Sequence, residues 1–303
     1  MRIECPSGLV IEGRPWSLGD MGEMAIRASQ PNVGEDLILD AVARQHVRTA
    51  DPGPYPFVQL GDAHFTWSGM LKVDVLWSLY RLRAGSFPDD PEHGLTSEDY
   101  TFEHRCGDTA CDGHKVPSVQ RVRLCDLKQR KLPASSFATM RGGGSFETKV
   151  DGKVVKFVLP TFALDAPLRE HLKKERKKAN NPRRPVTPAE QIAAQLTFIE
   201  GVKNSDKDLG ARAKWLAGLT AHQWVPLRDT ITKAAPFVGN KVDATCDVCG
   251  RVEELGLPLV PSFFAPPDRS EELLDQAEEK TEPMETTSPE SSSPTTEVPT
   301  LSA

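Results

Sequence analysis

Two short cysteine pairs, separated by 134 residues, constrain this 303-residue chain more than any other feature. Cys246-Asp-Val-Cys249-Gly250 puts two residues between two thiols, a spacing that lets both sulfurs reach one tetrahedral cation. The glycine that follows lets backbone N–H groups turn toward the sulfurs. Cys106-Gly-Asp-Thr-Ala-Cys111 has four intervening residues, within the range of a zinc knuckle. Either pair alone leaves a structural zinc half-ligated, so each pair calls for the other. Cys106, Cys111, Cys246 and Cys249 are therefore the expected ligands of one shared zinc. The main variant puts His114 or His104 in place of one thiolate; the plain alternative is reduced, buried thiols without metal. Strand-like sequence follows each pair, at 119–124 and 252–257, as in ribbon-type zinc sites.

The metal reading over a disulfide reading depends on the compartment. The N-terminus lacks a charged stretch followed by an apolar run, and no segment approaches the roughly 18 uncharged apolar residues of a membrane helix. A soluble protein that stays in the cytosol is expected, where paired cysteines mean metal or redox chemistry. A dithiol switch would expect a strand-to-helix unit, whereas here the closer pair leads into β sequence. Cys5 and Cys125 have no sequence partner, and Cys125, within Leu124-Cys125-Asp126-Leu127, reads as a small buried residue.

The net charge of -6 is unevenly spread. Residues 268–303 hold ten acidic and two basic side chains, a net of -8, which leaves about +2 for the rest. That tail is rich in Ser, Thr, Pro and Glu and cannot bury enough apolar surface to order itself. Within the body, the run from Leu168 to Arg184 carries eight basic and two acidic side chains. A solvated helix and linker is its bland reading; an anion-binding patch is the functional one. No aromatic residues interleave to stack bases.

The expected fold class is α+β: a mostly helical body with small β-hairpin and zinc-ribbon-like elements and a disordered C-terminal tail. Five segments follow: 1–105, an N-terminal strand and helical region; 106–160, the first knuckle and a hairpin; 161–245, the basic linker and helices; 246–267, the second knuckle closing the zinc site; and 268–303, the tail. An edge strand is expected over 3–11, bent at Pro6-Ser7-Gly8, and a helix over 34–47. Leu71, Val75, Leu79 and Leu82 form one stripe of a core helix, with Ala84-Gly85 as a left-handed stop. Asp151-Gly152 predicts a tight primed turn between strands 146–150 and 153–157. Thr187-Pro-Ala-Glu190 is a capping box opening a helix whose Ile192, Leu196 and Ile199 share a face. Further helices are expected over 211–218 and 227–235, with Pro226 at the start of the latter.

No nucleophile elbow, two-histidine helix motif or paired glycosidase-like carboxylates is recognisable, so no enzymatic activity is expected. With the cysteines placed, an ordered string of motifs resembles the baseplate hub assembly proteins of T-even-type and related contractile phages. The string runs from Cys5-Pro6-Ser7-Gly8-Leu9 through Gly61-Asp62 and Tyr80-Arg81-Leu82-Arg83-Ala84-Gly85 to Tyr100-Thr-Phe-Glu-His-Arg-Cys106. Leu124-Cys125-Asp126-Leu127, Phe157-Val-Leu-Pro160, Cys246-Asp-Val-Cys249-Gly250 and Leu259-Val-Pro-Ser-Phe263-Phe264-Ala-Pro266 follow. The chain departs from the pattern in its wider first cysteine spacing, its basic insertion and its acidic tail. The resemblance implies tail morphogenesis: a non-enzymatic chaperone of hub assembly or a minor hub component. The implied partners are phage hub or tail proteins, met in the host cytoplasm during assembly or in the virion baseplate. No membrane partner is expected. The rival expectation is a zinc-ribbon nucleic-acid-binding regulator using residues 169–184.

Overall fold

The element order alternates small antiparallel sheets with helices, the mixed α+β class that the sequence predicts. In this computed structural model the chain divides into Met1–Pro266 and Pro267–Ala303. The described residues are 1–17, 19, 20, 22, 23, 26, 47–62, 66–87, 89, 96–239, 241–257 and 263. The expected helix over 34–47, apart from Val47, and the expected disordered tail lie outside them. No helix among the described residues is long and apolar enough to cross a membrane.

The N-terminal segment is a hairpin, not one bent edge strand. Strand β1 (Arg2–Glu4) pairs with β2 (Val10–Gly13), and β2 with β3 (Val47–Asp51), all antiparallel. Pro6, Ser7 and Gly8 make the connection, closed by Cys5 N–H to the Leu9 carbonyl at 2.8 Å. The reversal keeps Ile3 and Ile11 opposite each other and buried, which a single strand could not do.

Helix α1 (Lys72–Ala84) carries the stripe of Val75, Leu79 and Leu82 into the core. Its fully buried Asp74 ties three segments together. It accepts the Ser7 N–H at 3.0 Å and the Tyr55 hydroxyl, and the Tyr55 oxygen in turn accepts the Leu71 N–H at 3.1 Å. Burial pushes the Asp74 carboxyl up to about 6, against the opposing pull of the Ser7 and Tyr55 hydrogen bonds. The helix does not end in a left-handed residue: Gly85 has φ -75°. Its N–H closes the helix on the Arg81 carbonyl at 3.0 Å, in a conformation open to any residue.

Arg83, only 1 % exposed, sits at the centre of an aromatic cage. Its guanidinium lies 4.7 Å from the ring centre of Phe87, 4.9 Å from Tyr100 and 5.5 Å from Phe263. Nε donates to the Phe263 carbonyl at 3.1 Å and a terminal N–H to the Asp99 carbonyl at 3.0 Å. Burial lowers its pKa to about 10, still charged at neutral pH.

Strands β4 (Asp99–His104) and β5 (Ser118–Arg123) form one hairpin, and the two-residue β6 (Gln129–Arg130) follows. Helix α2 (Ala134–Arg141) leads to β7 (Phe146–Val150) and β8 (Lys153–Phe157), joined by the expected primed turn. Asp151 and Gly152 both have positive φ, 51° and 75°, as that turn requires.

Helix α3 (Asp165–Lys178) is the basic run, and α4 (Pro188–Gln195) opens on the capping box: Thr187 Oγ1 accepts the Glu190 N–H at 3.2 Å, and Glu190 accepts the Thr187 N–H at 2.8 Å. The helix then stops short of Leu196. Residues Leu196–Ile199 form strand β9 on the free edge of β8, correcting the expected helical face. Tertiary pairing overrides the i, i+4, i+7 pattern because β8 offers unsatisfied backbone groups and Ser205 bonds both Ile199 N and O at 3.0 Å. Helices α5 (Leu209–Ala217) and α6 (Ala221–Ala234) follow. Pro226 lies inside α6 and not at its start, because Gln223 caps the Thr220 N–H at 3.0 Å one turn earlier. The chain then pairs β10 (Phe237–Val238) with β6, and β11 (Lys241–Thr245) with β12 (Val252–Gly256).

Candidate metal centre

The two cysteine pairs occupy the turns of two separate hairpins. Cys106 and Cys111 lie in the connection between β4 and β5, whose last paired residues are His104 and Ser118. Cys246 and Cys249 lie in the connection between β11 and β12, whose last pair is Thr245 and Val252. Each turn is held by its own backbone. Cys106 N–H donates to the Gly113 carbonyl at 3.0 Å, and Cys246 N–H donates to the Arg251 carbonyl at 2.9 Å. Gly250 N–H closes on the Cys246 carbonyl at 2.8 Å, with the φ of +71° that makes glycine the easy residue there.

The hairpins meet tip to tip, and the sulfurs of Cys106, Cys111, Cys246 and Cys249 all lie within 4.8 Å of one another. Two cross-hairpin separations are 3.7 Å, Cys106 to Cys249, and 3.8 Å, Cys111 to Cys246. A tetrahedral ion with metal–sulfur bonds of about 2.3 Å has sulfur–sulfur edges of about 3.8 Å. The four sulfurs thus fit one metal ion, and all four predicted ligands come together. All are free thiols.

The electrostatics fit the same conclusion. The N–H groups of Cys249 and Val248 aim at the Cys246 sulfur and hold that thiol at about 7. At Cys111 the Gly113 N–H acts in the same lowering sense, but burial and the facing thiols together push it up to about 12. At Cys106 the Asp108 N–H is likewise outweighed by burial, Cys249 and Cys246, and the thiol is raised. Four sulfurs this close cannot all carry charge without a cation among them, and a metal ion bound there would supply it.

Neither histidine joins the cluster. His114 Nδ1 lies 2.8 Å from the Cys106 carbonyl, bracing the first knuckle from behind. His104 is buried with Nε2 3.5 Å from Glu253 Oε2, without hydrogen-bond alignment.

Two residues that the sequence did not single out, Gln120 and Glu253, join the hairpins, and Arg251 and Gly113 support the site. Gln120 on β5 bridges to β11: its Nε2 donates to the Thr245 carbonyl at 2.9 Å and its Oε1 accepts the Thr245 N–H at 3.0 Å. A side-chain amide there imitates a strand partner immediately before Cys246. Glu253 on β12 accepts the Gly107 N–H, 3.2 Å from each carboxylate oxygen, immediately after Cys106. Arg251 Nε holds the same carboxylate at 2.9 Å. Gly113 forms a wall of the site, where an added Cβ would lie 2.5 Å from the Cys246 sulfur and 3.4 Å from that of Cys111. Only Gly113 had a local signal, a glycine two residues after a ligand cysteine; Gln120 and Glu253 act across more than a hundred residues.

The remaining cysteines are elsewhere. Cys5 is buried against Ser78, 3.3 Å from its hydroxyl, and burial drives its thiol well above the ordinary range. Cys125 is exposed in a short 3-10 turn, correcting the expectation of a buried residue, because Leu124 and Leu127 on either side take the core positions. In the basic run, Lys178 pairs with Glu175 at 2.7 Å, Arg184 with Glu190 at 2.9 Å, and Arg176 donates to the Arg184 carbonyl at 3.1 Å. Neither a protein-family model, nor a curated protein, nor a solved structure matches this chain.

Proposed function

We propose that the chain is a non-enzymatic assembly protein of a contractile-phage tail baseplate, with zinc at Cys106, Cys111, Cys246 and Cys249 as a structural staple. The observation that carries the non-catalytic part is closure of the site. Four thiolates within 4.8 Å of one another, two of the edges at 3.7 and 3.8 Å, would fill a tetrahedral ion's coordination and leave no position for water or substrate, the arrangement of structural rather than catalytic zinc. An all-thiolate set of tetrahedral shape suits zinc better than magnesium or calcium, which take oxygen ligands.

The phage assignment rests on the ordered motifs, and their placement supports treating them as one framework. Arg83, Tyr100 and Phe263 come from three separate motifs and meet in one cage. Cys5 and Ser7, from the first motif, are anchored on the same helix that carries Arg83. Motif residues that pack on each other specify a shared body more firmly than scattered matches do. The staple then fixes the relative position of chain segments 134 residues apart, which suits a rigid surface for hub or tail proteins.

The test is deletion of the encoding gene from its phage, with electron microscopy of the particles. Tails lacking finished baseplates, restored by the wild-type gene, are expected; normal baseplates and normal yield overturn the assignment. Mass spectrometry of purified particles separates a departing chaperone from a resident component.

A further inference from the structure

Away from the metal centre, helices α3, α4 and α5 surround an open cleft of about 880 Å³. That volume is in the range of small-molecule sites, about 300–1,000 Å³. None of its lining residues is a cysteine ligand or belongs to the motifs that carry the phage resemblance. Ala189, Ala211, Ala213 and Ala217 are among its lining residues, with Gly210 close to the His171 ring.

What distinguishes the cleft is its charge pairing. Its buried acid, Glu190, is saturated by Arg184 at 2.9 and 3.3 Å, His171 at 3.2 Å, and the Thr187 N–H and hydroxyl at 2.8 and 2.9 Å. Glu175 is engaged by Lys178 at 2.7 Å, and Asp208 caps α5 by accepting the Gly210 N–H at 2.8 Å. Lys174, Lys207 and Lys214 are exposed, line the same cleft from α3 and from α5 with the residues before it, and pair with no carboxylate among the described residues. Glu170 and Asp208 are the two acids of the lining that pair with no cation among the described residues. Three unpaired lysines stand against these two acids, so the excess charge at this cleft is positive and supplied by lysines.

The geometry points to this cleft as a binding site for a compact ligand carrying several phosphate groups. Lysine ammonium groups are compact, rotatable point charges that suit phosphate oxygens, while the arginine fork that would favour planar carboxylates is already occupied by Glu190. Cations on opposing helices match a ligand with more than one anionic group better than a single ion. Nucleic acid fits less well, because no Phe, Tyr or Trp lines the cleft for base stacking and the His171 ring is tied to Glu190.

Calorimetric titration of the full metal-loaded chain with inorganic tripolyphosphate, at physiological salt, tests this. One saturable site is expected, weakened about tenfold or more in the Lys174→Gln/Lys214→Gln double variant. The substituted side chains are exposed, so circular dichroism and Tm should stay at wild-type values. Absence of saturable binding, or binding unchanged by the two substitutions, overturns the inference. So does an oligothymidylate that binds the wild type and is not displaced by tripolyphosphate, which would make the lysines a nucleic-acid track.

Discussion

Replacing Gly113 by alanine tests how tightly the metal centre is packed. The new methyl group would stand 2.5 Å from the Cys246 sulfur, and ordinary contact begins near 3.4 Å, so the sulfur or the knuckle backbone has to move by almost 1 Å. Metal–ligand distances tolerate about 0.2 Å of departure. A shift of that size taken by the sulfur exceeds what its metal bond tolerates, and one taken by the knuckle backbone displaces the Cys111 ligand two residues away. Changes in the shell around a metal cost about 10–100-fold in affinity even when the ligands survive. Gly113→Ala should lose at least that factor, measured by competition with a chromophoric chelator under reducing, anaerobic conditions. Gly256→Ala, on the second hairpin and opening onto free space, is the matched control and should bind as the wild type does. A Gly113→Ala protein within about threefold of wild-type affinity, with the same Tm, would refute the packing argument.

Gln120→Ala removes the two bonds that hold β5 to β11, and metal affinity should fall about tenfold by the same chelator competition while body stability barely changes; unchanged affinity would mean the bridge is incidental. Arg83→Met keeps volume but orphans the Phe263 and Asp99 carbonyls, each costing about 1–3 kcal/mol, partly offset by no longer burying a charge. Urea unfolding should show a loss of about 2–4 kcal/mol, and no loss would sink the cage argument. Asp74 titrates near 6 when folded and near 3.8 as its ordinary value, so between those values the folded chain binds more protons than the unfolded one. Its contribution is therefore fully present below about pH 4 and is lost as pH rises through about 6, worth about 3 kcal/mol. Asp74→Asn should flatten that part of the stability–pH profile, and a profile parallel to wild type from pH 4 to 7 would contradict it.

Local rules were legible where the deciding atoms are close in sequence. Asp151-Gly152 specifies its own turn, Thr187 and Glu190 cap each other, and the α1 stripe needs only its own period. Elements decided by distant partners carry no such local signal. Leu196–Ile199 matches a helical face but is drawn into a sheet by the edge of β8. Gly85 reads as a left-handed stop, yet its φ is -75° and the helix closes by the Gly85 N–H on the Arg81 carbonyl. The candidate site shows the same division. Valence alone pointed to the four cysteines, since each pair is incomplete without the other. The residues that join the knuckles, Gln120 and Glu253, left no such trace, because a single polar side chain on an exposed strand is ordinary until its partner strand is known.

The shared metal is the centre of the account, and metal content by mass spectrometry, on chain purified without added metal, tests it most directly. One zinc per chain is predicted, with Cys106→Ala and Cys249→Ala each losing it, because removing either opens the same site from opposite hairpins. A wild-type chain with well under one zinc would contradict the account. So would a Cys106→Ala chain that keeps its zinc on Cys246 and Cys249 alone.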